Sequence, residues 1–197
     1  SIPESYYGLA PKMTPYESWT PQTIPAFHQE NYGNFWLGNK FTPGTTHTMN
    51  YVKLTMYRVG SPGTLTIDTW LTSGFPAVPT GSSLAKGYLS GNDLTASTAG
   101  STYIIPTGGF TVVAGTTYAF SIKAPSGDAS NYIKLYYDII GIGGKIVTTV
   151  DAGSTWSANT TSSLAFEEGR ADHIFFSEVN RNRLVVPNRV TVKTYAT

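Results

Sequence analysis

Apolar and polar residues alternate with a period of two through most of the chain between residues 52 and 166. In segment 52–56 the even positions hold Val, Leu and Met, and in segment 118–122 they hold Tyr, Phe and Ile. Successive side chains of a β-strand point to opposite faces of a sheet, so this period predicts strands with one buried face. No stretch of about 11 residues or more follows the 3.6-residue period of a helix. We therefore expect an all-β protein.

Turn-forming residues separate these alternating segments. Gly, Pro, Ser, Asn and Asp are concentrated in three blocks, residues 57–63, 124–132 and 151–156. Short strands divided at such intervals by turns are typical of two packed antiparallel sheets. The pattern predicts a two-sheet antiparallel β-sandwich, jelly-roll-like in form.

The three turn blocks, in this order and at this spacing, resemble a β-sandwich module that recurs in phage virion proteins and in surface proteins of archaea and bacteria. The resemblance covers roughly residues 41–168. It implies a non-catalytic binding or assembly domain on the outside of a particle or a cell. Proteins with such modules differ in what they bind, so no one ligand is implied.

The third block resembles the Asp-box of sialidase propellers, whose pattern is Ser/Thr-x-Asp-x-Gly-x-Thr-Trp. The matching residues are Thr149, Asp151, Gly153, Thr155 and Trp156. The resemblance implies a structural hairpin in which the Asp side chain bonds the turn backbone and the Trp is largely buried beneath it. Sialidases carry several copies and an arginine cluster, whereas this chain has one copy and no blade-length repeat. We expect hairpin geometry and no glycosidase chemistry.

The two ends of the chain differ from its centre, and we divide it into an N-terminal arm (1–27), a β-sandwich domain (28–168) and a C-terminal extension (169–197). The N-terminal arm contains five of the 12 prolines, which exclude a helix or a central strand. The residues expected to anchor the arms are apolar or aromatic: Tyr6, Tyr7, Tyr16, Trp19 and Phe27 in the first, and Val185, Val186, Val190 and Val192 in the second.

Each arm has two possible docking places. The N-terminal arm can lie over its own domain or pack on a neighbouring subunit, and the predicted strand at 185–192 needs a sheet edge from the same chain or another. Strand addition between chains would pair the backbone and bury the apolar side chains together. We expect at least one arm to contact a neighbouring subunit.

The composition excludes several classes of partner. The 13 basic and 12 acidic residues leave a net charge of +1, too small to recruit nucleic acid or an anionic bilayer. No apolar run approaches the roughly 18 residues that cross a membrane. The chain has no cysteine, so disulfides, thiolate nucleophiles and cysteine zinc sites are excluded.

The residues that carry catalysis elsewhere form no recognisable constellation here. The histidines are far apart in sequence, at positions 28, 47 and 173, and neither a Gly-x-Ser-x-Gly elbow nor a phosphate loop occurs. We predict no catalytic residue, no cofactor and no metal site, with calcium at the loop 128–131 left open as an alternative. Trp36, Trp70 and Trp156 are candidates for stacking on sugars if exposed, and the alternative is that they fill the core.

These observations favour a non-catalytic structural protein of a virus or phage particle, such as a decoration, tail or fibre component that assembles through its arms. Two alternatives stay open, an extracellular carbohydrate-binding or adhesion module and a subunit of a cell-surface filament. The expected location is the virion or the extracellular side of a cell surface. The expected partners are further copies of the chain or other virion or surface proteins, with a glycan as a further candidate.

Overall fold

The computed structural model describes residues 12–20, 27–139 and 145–172. Within these ranges the chain forms thirteen β-strands, one short 3₁₀ turn and no α-helix. The expectation of an all-β protein is confirmed. A search of the same ranges for helices long and apolar enough to cross a membrane finds none.

The strands are numbered in chain order. They are β1 Met13–Trp19, β2 Phe27–Asn31, β3 Trp36–Phe41, β4 His47–Val59, β5 Thr64–Ser73, β6 Val78–Ser90, β7 Ser101–Val112, β8 Tyr118–Lys123, β9 Tyr132–Ile139, β10 Ile146–Thr149, β11 Ser157–Ala158, β12 Ser162–Leu164 and β13 Phe166–Ala171. The 3₁₀ turn at Gly91–Asp93 follows β6.

The strands pair antiparallel in one curled sheet, along the path β1-β13-β4-β7-β6-β5-β8-β3-β10-β11. β9 pairs with β4 on the side opposite β7, and it also pairs with β2 and β12. We call β1, β2, β4, β7, β9, β12 and β13 the first half of the sheet, and β3, β5, β6, β8, β10 and β11 the second half. The predicted division into two separate sheets stays a prediction.

The halves are joined in the ladder by a narrow junction between β6 and β7. It consists of one residue pair, Gly87 with Thr107. A Cβ atom at Gly87 would lie 2.2 Å from the carbonyl oxygen of Pro106 and 2.8 Å from Cγ2 of Ile67. The close approach of the two strands therefore requires glycine at this position.

The hydrophobic core lies between the two halves. Alternate residues of β4 in the first half and of β5 and β8 in the second are buried in one cluster, and the Phe120 and Phe166 rings meet with centroids 5.4 Å apart. The even positions of segments 52–56 and 118–122 are those that point inward. The period-two pattern thus identified the inner face of each strand.

Two buried asparagines tie the halves together at the edge of this core. Asn31 of β2 donates its side-chain amide to the carbonyl of Ile122 in β8, at 2.8 Å. Asn39 of β3 accepts from the backbone N–H of Leu164 in β12, at 3.0 Å. Buried polar groups need such partners, so these bonds hold the two halves in one register.

Part of the predicted N-terminal arm belongs to the sheet. β1 forms six residue pairs with β13 of the same chain, with an irregularity in register between Pro15 and Glu17. Proline has no backbone N–H to donate to a neighbouring strand, so its place in a strand at the end of the sheet is expected. Phe27 opens β2, which pairs with β9. The remaining arm residues, Tyr6, Tyr7, Val185, Val186, Val190 and Val192, lie outside the described residues.

The junction between β6 and β7 generates a prediction. Gly87→Ala should destabilise the protein by about 1–3 kcal/mol, because its methyl group would overlap backbone and core atoms. Gly108→Ala is the matched control, since its Cβ would meet only the carbonyl oxygen of Lys86 at 3.9 Å. Urea denaturation measures the free energy of unfolding of both variants. Equal values for the two would contradict the tight packing of the junction.

Candidate functional site

The hairpin between β10 and β11 is held by the side chain of Asp151. Its Oδ1 accepts from Thr149 Oγ1 at 2.6 Å and from the Thr155 backbone N–H at 2.9 Å, while its Oδ2 accepts from Thr155 Oγ1 at 2.6 Å. The same turn is braced by Thr149 Oγ1, which accepts from the N–H of Gly153. These donors stabilise the carboxylate and lower the pKa of Asp151 to about 2. The carboxylate acts here as a turn brace.

The hairpin packs against the start of β3. Gly153 has a φ of 90°, and a Cβ there would lie 2.6 Å from Cζ3 of Trp36. Both the backbone conformation and the contact favour glycine. The turn is thereby placed directly beside the Trp36 ring.

Three tryptophans meet at this place, which we call the tryptophan cluster: Trp36 of β3, Trp70 of β5 and Trp156 of the hairpin. The Trp156 ring lies 6.2 Å from that of Trp36 and 6.1 Å from that of Trp70, each at an interplanar angle of 61°. All three side chains are half-buried. Trp156, predicted to be largely buried, thus keeps part of its surface accessible.

The tryptophan cluster lies on the outer face of the second half, away from the core. Paired residues Asp68, Ser121, Gly38 and Val147 form a row across this face, and all are buried although they point away from the core. Trp70 contacts the row directly, because its indole N–H donates to Ser121 Oγ at 2.9 Å. The outer face therefore carries a small second layer of packing.

Charged side chains border the tryptophan cluster. Lys123 places its Nζ 4.1 Å from the Trp36 ring centroid and 2.7 Å from Asp68 Oδ2. Lys86 lies 3.5 Å from Asp68 Oδ1, and its side chain is 53% exposed, whereas that of Asp68 is 1% exposed. The two lysines and one carboxylate leave one positive charge, with Lys86 as the accessible cation.

A shallow cleft of about 560 Å³ adjoins the tryptophan cluster. It is lined by Gln29, Glu30, Tyr32, Gly33, Asn34 and Phe35. Its wall is bonded to the cluster, since the Trp36 indole N–H donates to the Gly33 carbonyl at 3.2 Å and the Ala152 N–H donates to that of Asn34 at 3.1 Å. The cleft and the cluster are therefore joined through hydrogen bonds of Trp36 and of the hairpin.

A second group of interacting side chains holds β1 in place. His47 of β4 and Glu168 of β13 are both buried, with Nε2 and Oε2 3.0 Å apart. The Tyr16 ring of β1 stacks on the imidazole at a centroid distance of 3.7 Å. His47 Nδ1 lies 2.8 Å from the carbonyl oxygen of Thr45, which can only accept, so Nδ1 carries a proton. The contact between His47 Nε2 and Glu168 Oε2 then requires a second proton, carried by one of these two atoms.

Burial raises the pKa of Glu168, and the nearby charge of Glu17 acts in the same direction while His47 opposes it. Tyr51 is a further titratable group that interacts with this carboxyl. The second oxygen of Glu168, Oε1, is buried without a partner in the described part of the chain. The carboxyl is thus more costly to ionise here than in the unfolded chain.

The remaining predicted residues lie in separate places. Trp19 packs against the core from β1, and Phe27 is 51% exposed in β2. The ring of His28 packs edge-on against Tyr136, and His173 lies outside the described residues. In the loop 128–131, Asp128 accepts from Ser130 and Asn131. Within the described ranges no three His, Asp or Glu side chains are placed to hold a metal ion.

Sequence reasoning selected the three tryptophans but missed Asp68, Lys86 and Lys123. The alternation of β5 places Asp68 and Trp70 on the same outward face. Their cross-strand neighbours, however, depend on the register of β5 with β6 and β8, which the pattern leaves open. The signal available in the sequence was a charged residue, Asp68, inside a strand segment that also holds Leu65, Ile67 and Trp70.

Comparison with models of known protein families gives no match to this chain, and comparison with curated proteins gives none either.

The contact between His47 and Glu168 predicts a pH dependence. A raised pKa in the folded state means that this carboxyl's contribution to stability is complete below about pH 4.5 and is lost as the pH rises through the raised pKa. Glu168→Gln keeps a donor for Nε2 and does not titrate. The melting temperature of the wild-type protein should therefore fall relative to that of the variant as the pH rises from about 4 to about 9.

Circular dichroism melts of both proteins across this range provide the measurement. Glu30→Gln is the control, because Glu30 is an exposed partner of Lys134 elsewhere in the sheet. Parallel curves for the wild-type protein and Glu168→Gln would show that the carboxyl has no raised pKa.

Proposed function

We propose that this chain is a non-catalytic structural protein of a virus or phage particle, a decoration, tail or fibre component that assembles through its terminal segments. The observation that carries the proposal is the outer edge of β1, with which no described strand pairs, because the inner edge of β1 is already paired with β13 of the same chain. A short segment joins the sheet through six residue pairs and an aromatic stack of Tyr16 on His47. This is strand addition, the means by which extended segments also join neighbouring subunits.

The edge beyond β1 offers a place for such a neighbour. β1 ends the path of paired strands, so no described strand pairs with its outer edge. Ser18 and Tyr16 are exposed on this strand. An open edge with unpaired N–H and C=O groups favours pairing with another extended segment. The predicted strand at 185–192 of a neighbouring chain has the composition for that role.

The architecture of the proposed protein is a jelly-roll-like sandwich in which the first and second halves of the curled sheet act as facing layers. The contact of Phe120 with Phe166 and the bonds of Asn31 and Asn39 support this description. A sandwich of this kind resists deformation from both faces, which suits a component of a particle or a surface. A cell-surface filament subunit would use the same edges.

A carbohydrate-binding or adhesion module is the second candidate function. The tryptophan cluster favours it, because the cluster lies on the outer face of the second half, away from the core. The two functions are compatible in one protein, since the cluster is on the second half and β1 is at the edge of the first.

Truncation tests the assembly function. Removal of residues 1–25 or 184–197 should convert an oligomer or polymer into smaller species, as measured by sedimentation velocity and electron microscopy. Phe75→Ser is the control, because Phe75 is an exposed apolar residue in the β5–β6 turn and is remote from both termini in sequence. A parent protein that is monomeric, or truncated proteins that assemble as the parent does, would refute the proposal.

A further inference from the structure

We propose that the tryptophan cluster and the adjoining cleft form a binding site for a pyranose-containing oligosaccharide. This inference rests on the second candidate function and names its site. Trp36, Trp70 and Trp156 come from three separate parts of the chain and converge on an outer face. The flat apolar face of an indole matches the C–H face of a pyranose ring, while its edge remains compatible with hydroxyl groups.

The cluster is organised before any ligand binds. The Trp36 indole is fixed by its bond to Gly33, and the Trp70 indole is fixed by its bond to Ser121. Lys123 lies over one face of Trp36 and is itself held by Asp68. Side chains already held in one conformation lose little entropy on binding, which favours recognition of a ligand that makes few contacts.

Polar groups are available around the aromatic surface. Trp156 is half-buried, and its indole N–H makes no hydrogen bond within the described part of the chain. Lys86 presents an exposed ammonium at one side, and the cleft presents the exposed Asn34 together with Gln29 at the other. A saccharide that stacks on the cluster can therefore direct hydroxyl groups to donors and acceptors on both sides.

The cleft adds room for further sugar units beside the tryptophan cluster. Its volume of about 560 Å³ lies within the range of small-ligand sites. Gly33 lines the cleft and accepts a hydrogen bond from the Trp36 indole, so the cleft begins next to the cluster. The geometry fits a short oligosaccharide better than a single sugar.

The charge balance favours a glycan over single-stranded nucleic acid, the other polymer that stacks on aromatic side chains. Nucleic-acid grooves combine stacking with several cations along the phosphate backbone. Here Lys123 and Lys86 share the Asp68 carboxylate, Lys40 is a further cation on the outward side of β3, and Glu30 lines the cleft. This mixture of three lysines and two carboxylates can bind hydroxyl groups or the carboxylate of an acidic sugar, but it is a poor match for a continuous phosphate backbone.

The test begins with a glycan array of neutral and acidic pyranosyl oligosaccharides, probed with the full chain. Bound glycans are then titrated against the protein and its variants, with intrinsic tryptophan fluorescence and calorimetry as readouts. Trp156→Ala and Trp70→Ala should each weaken binding by at least about tenfold. Trp156→Phe should retain most of the affinity, because a ring remains for stacking. Lys86→Ala should weaken the acidic glycans more than the neutral ones.

Two controls separate binding from folding and from assembly. Trp19→Phe changes a tryptophan of β1 outside the cluster and should leave the affinity unchanged. Thermal melts show which variants remain folded, and an alanine variant that unfolds is replaced by its leucine counterpart, which fills the space but removes the aromatic ring. The array binding is repeated with the chain lacking residues 184–197, so that loss of assembly and loss of glycan binding are seen separately.

Three results would overturn the proposal. The first is an array without any bound glycan, and the second is glycan affinity that the cluster variants do not change. The third is preferential binding of a single-stranded oligonucleotide, included as a competitor, at the same tryptophans.

Discussion

The structure depends on the contact between the two halves of one curled sheet. Among the described strands they share a single residue pair in the ladder, so the packed core and the buried asparagines Asn31 and Asn39 hold them in register. An apolar core is non-directional and would tolerate sliding of the halves. The two side-chain bonds are directional, and breaking either would leave a buried polar group without a partner. Together they fix how the two halves face each other across the core.

The pairing of strands within the second half has its own consequence on the outer face. It aligns Asp68, Ser121 and Gly38 in one row, above which Trp36 and Trp70 lie on either side of β8. Trp156 reaches the same place only because the hairpin braced by Asp151 turns back onto Trp36. The motif that resembles an Asp-box thus has a positional role, since it fixes one of the three aromatic rings.

The sequence was sufficient for those features that depend on local periodicity. Alternation identified the inward residues of β4, β5 and β8. In the proline-rich N-terminal segment the described strand, β1, lies at the end of the path of described strands. The sequence was insufficient for features that depend on pairing between distant strands. One such feature is the junction of the two halves through Gly87, and another is the contact of Glu168 with His47, which lies 121 residues away. Both depend on strand register, for which the sequence has no local signal.

The central claim is that terminal segments join sheet edges of neighbouring chains, and the absence of native cysteine allows a direct test. Ser18→Cys places a thiol on the exposed side of β1, and Val190→Cys places one in the predicted C-terminal strand. The two single variants are mixed, assembled and oxidised, and the products are resolved by mass spectrometry. The account predicts a disulfide between one chain of each kind. The account is contradicted if the mixed single variants form no such disulfide while a variant carrying both substitutions forms one within a single chain.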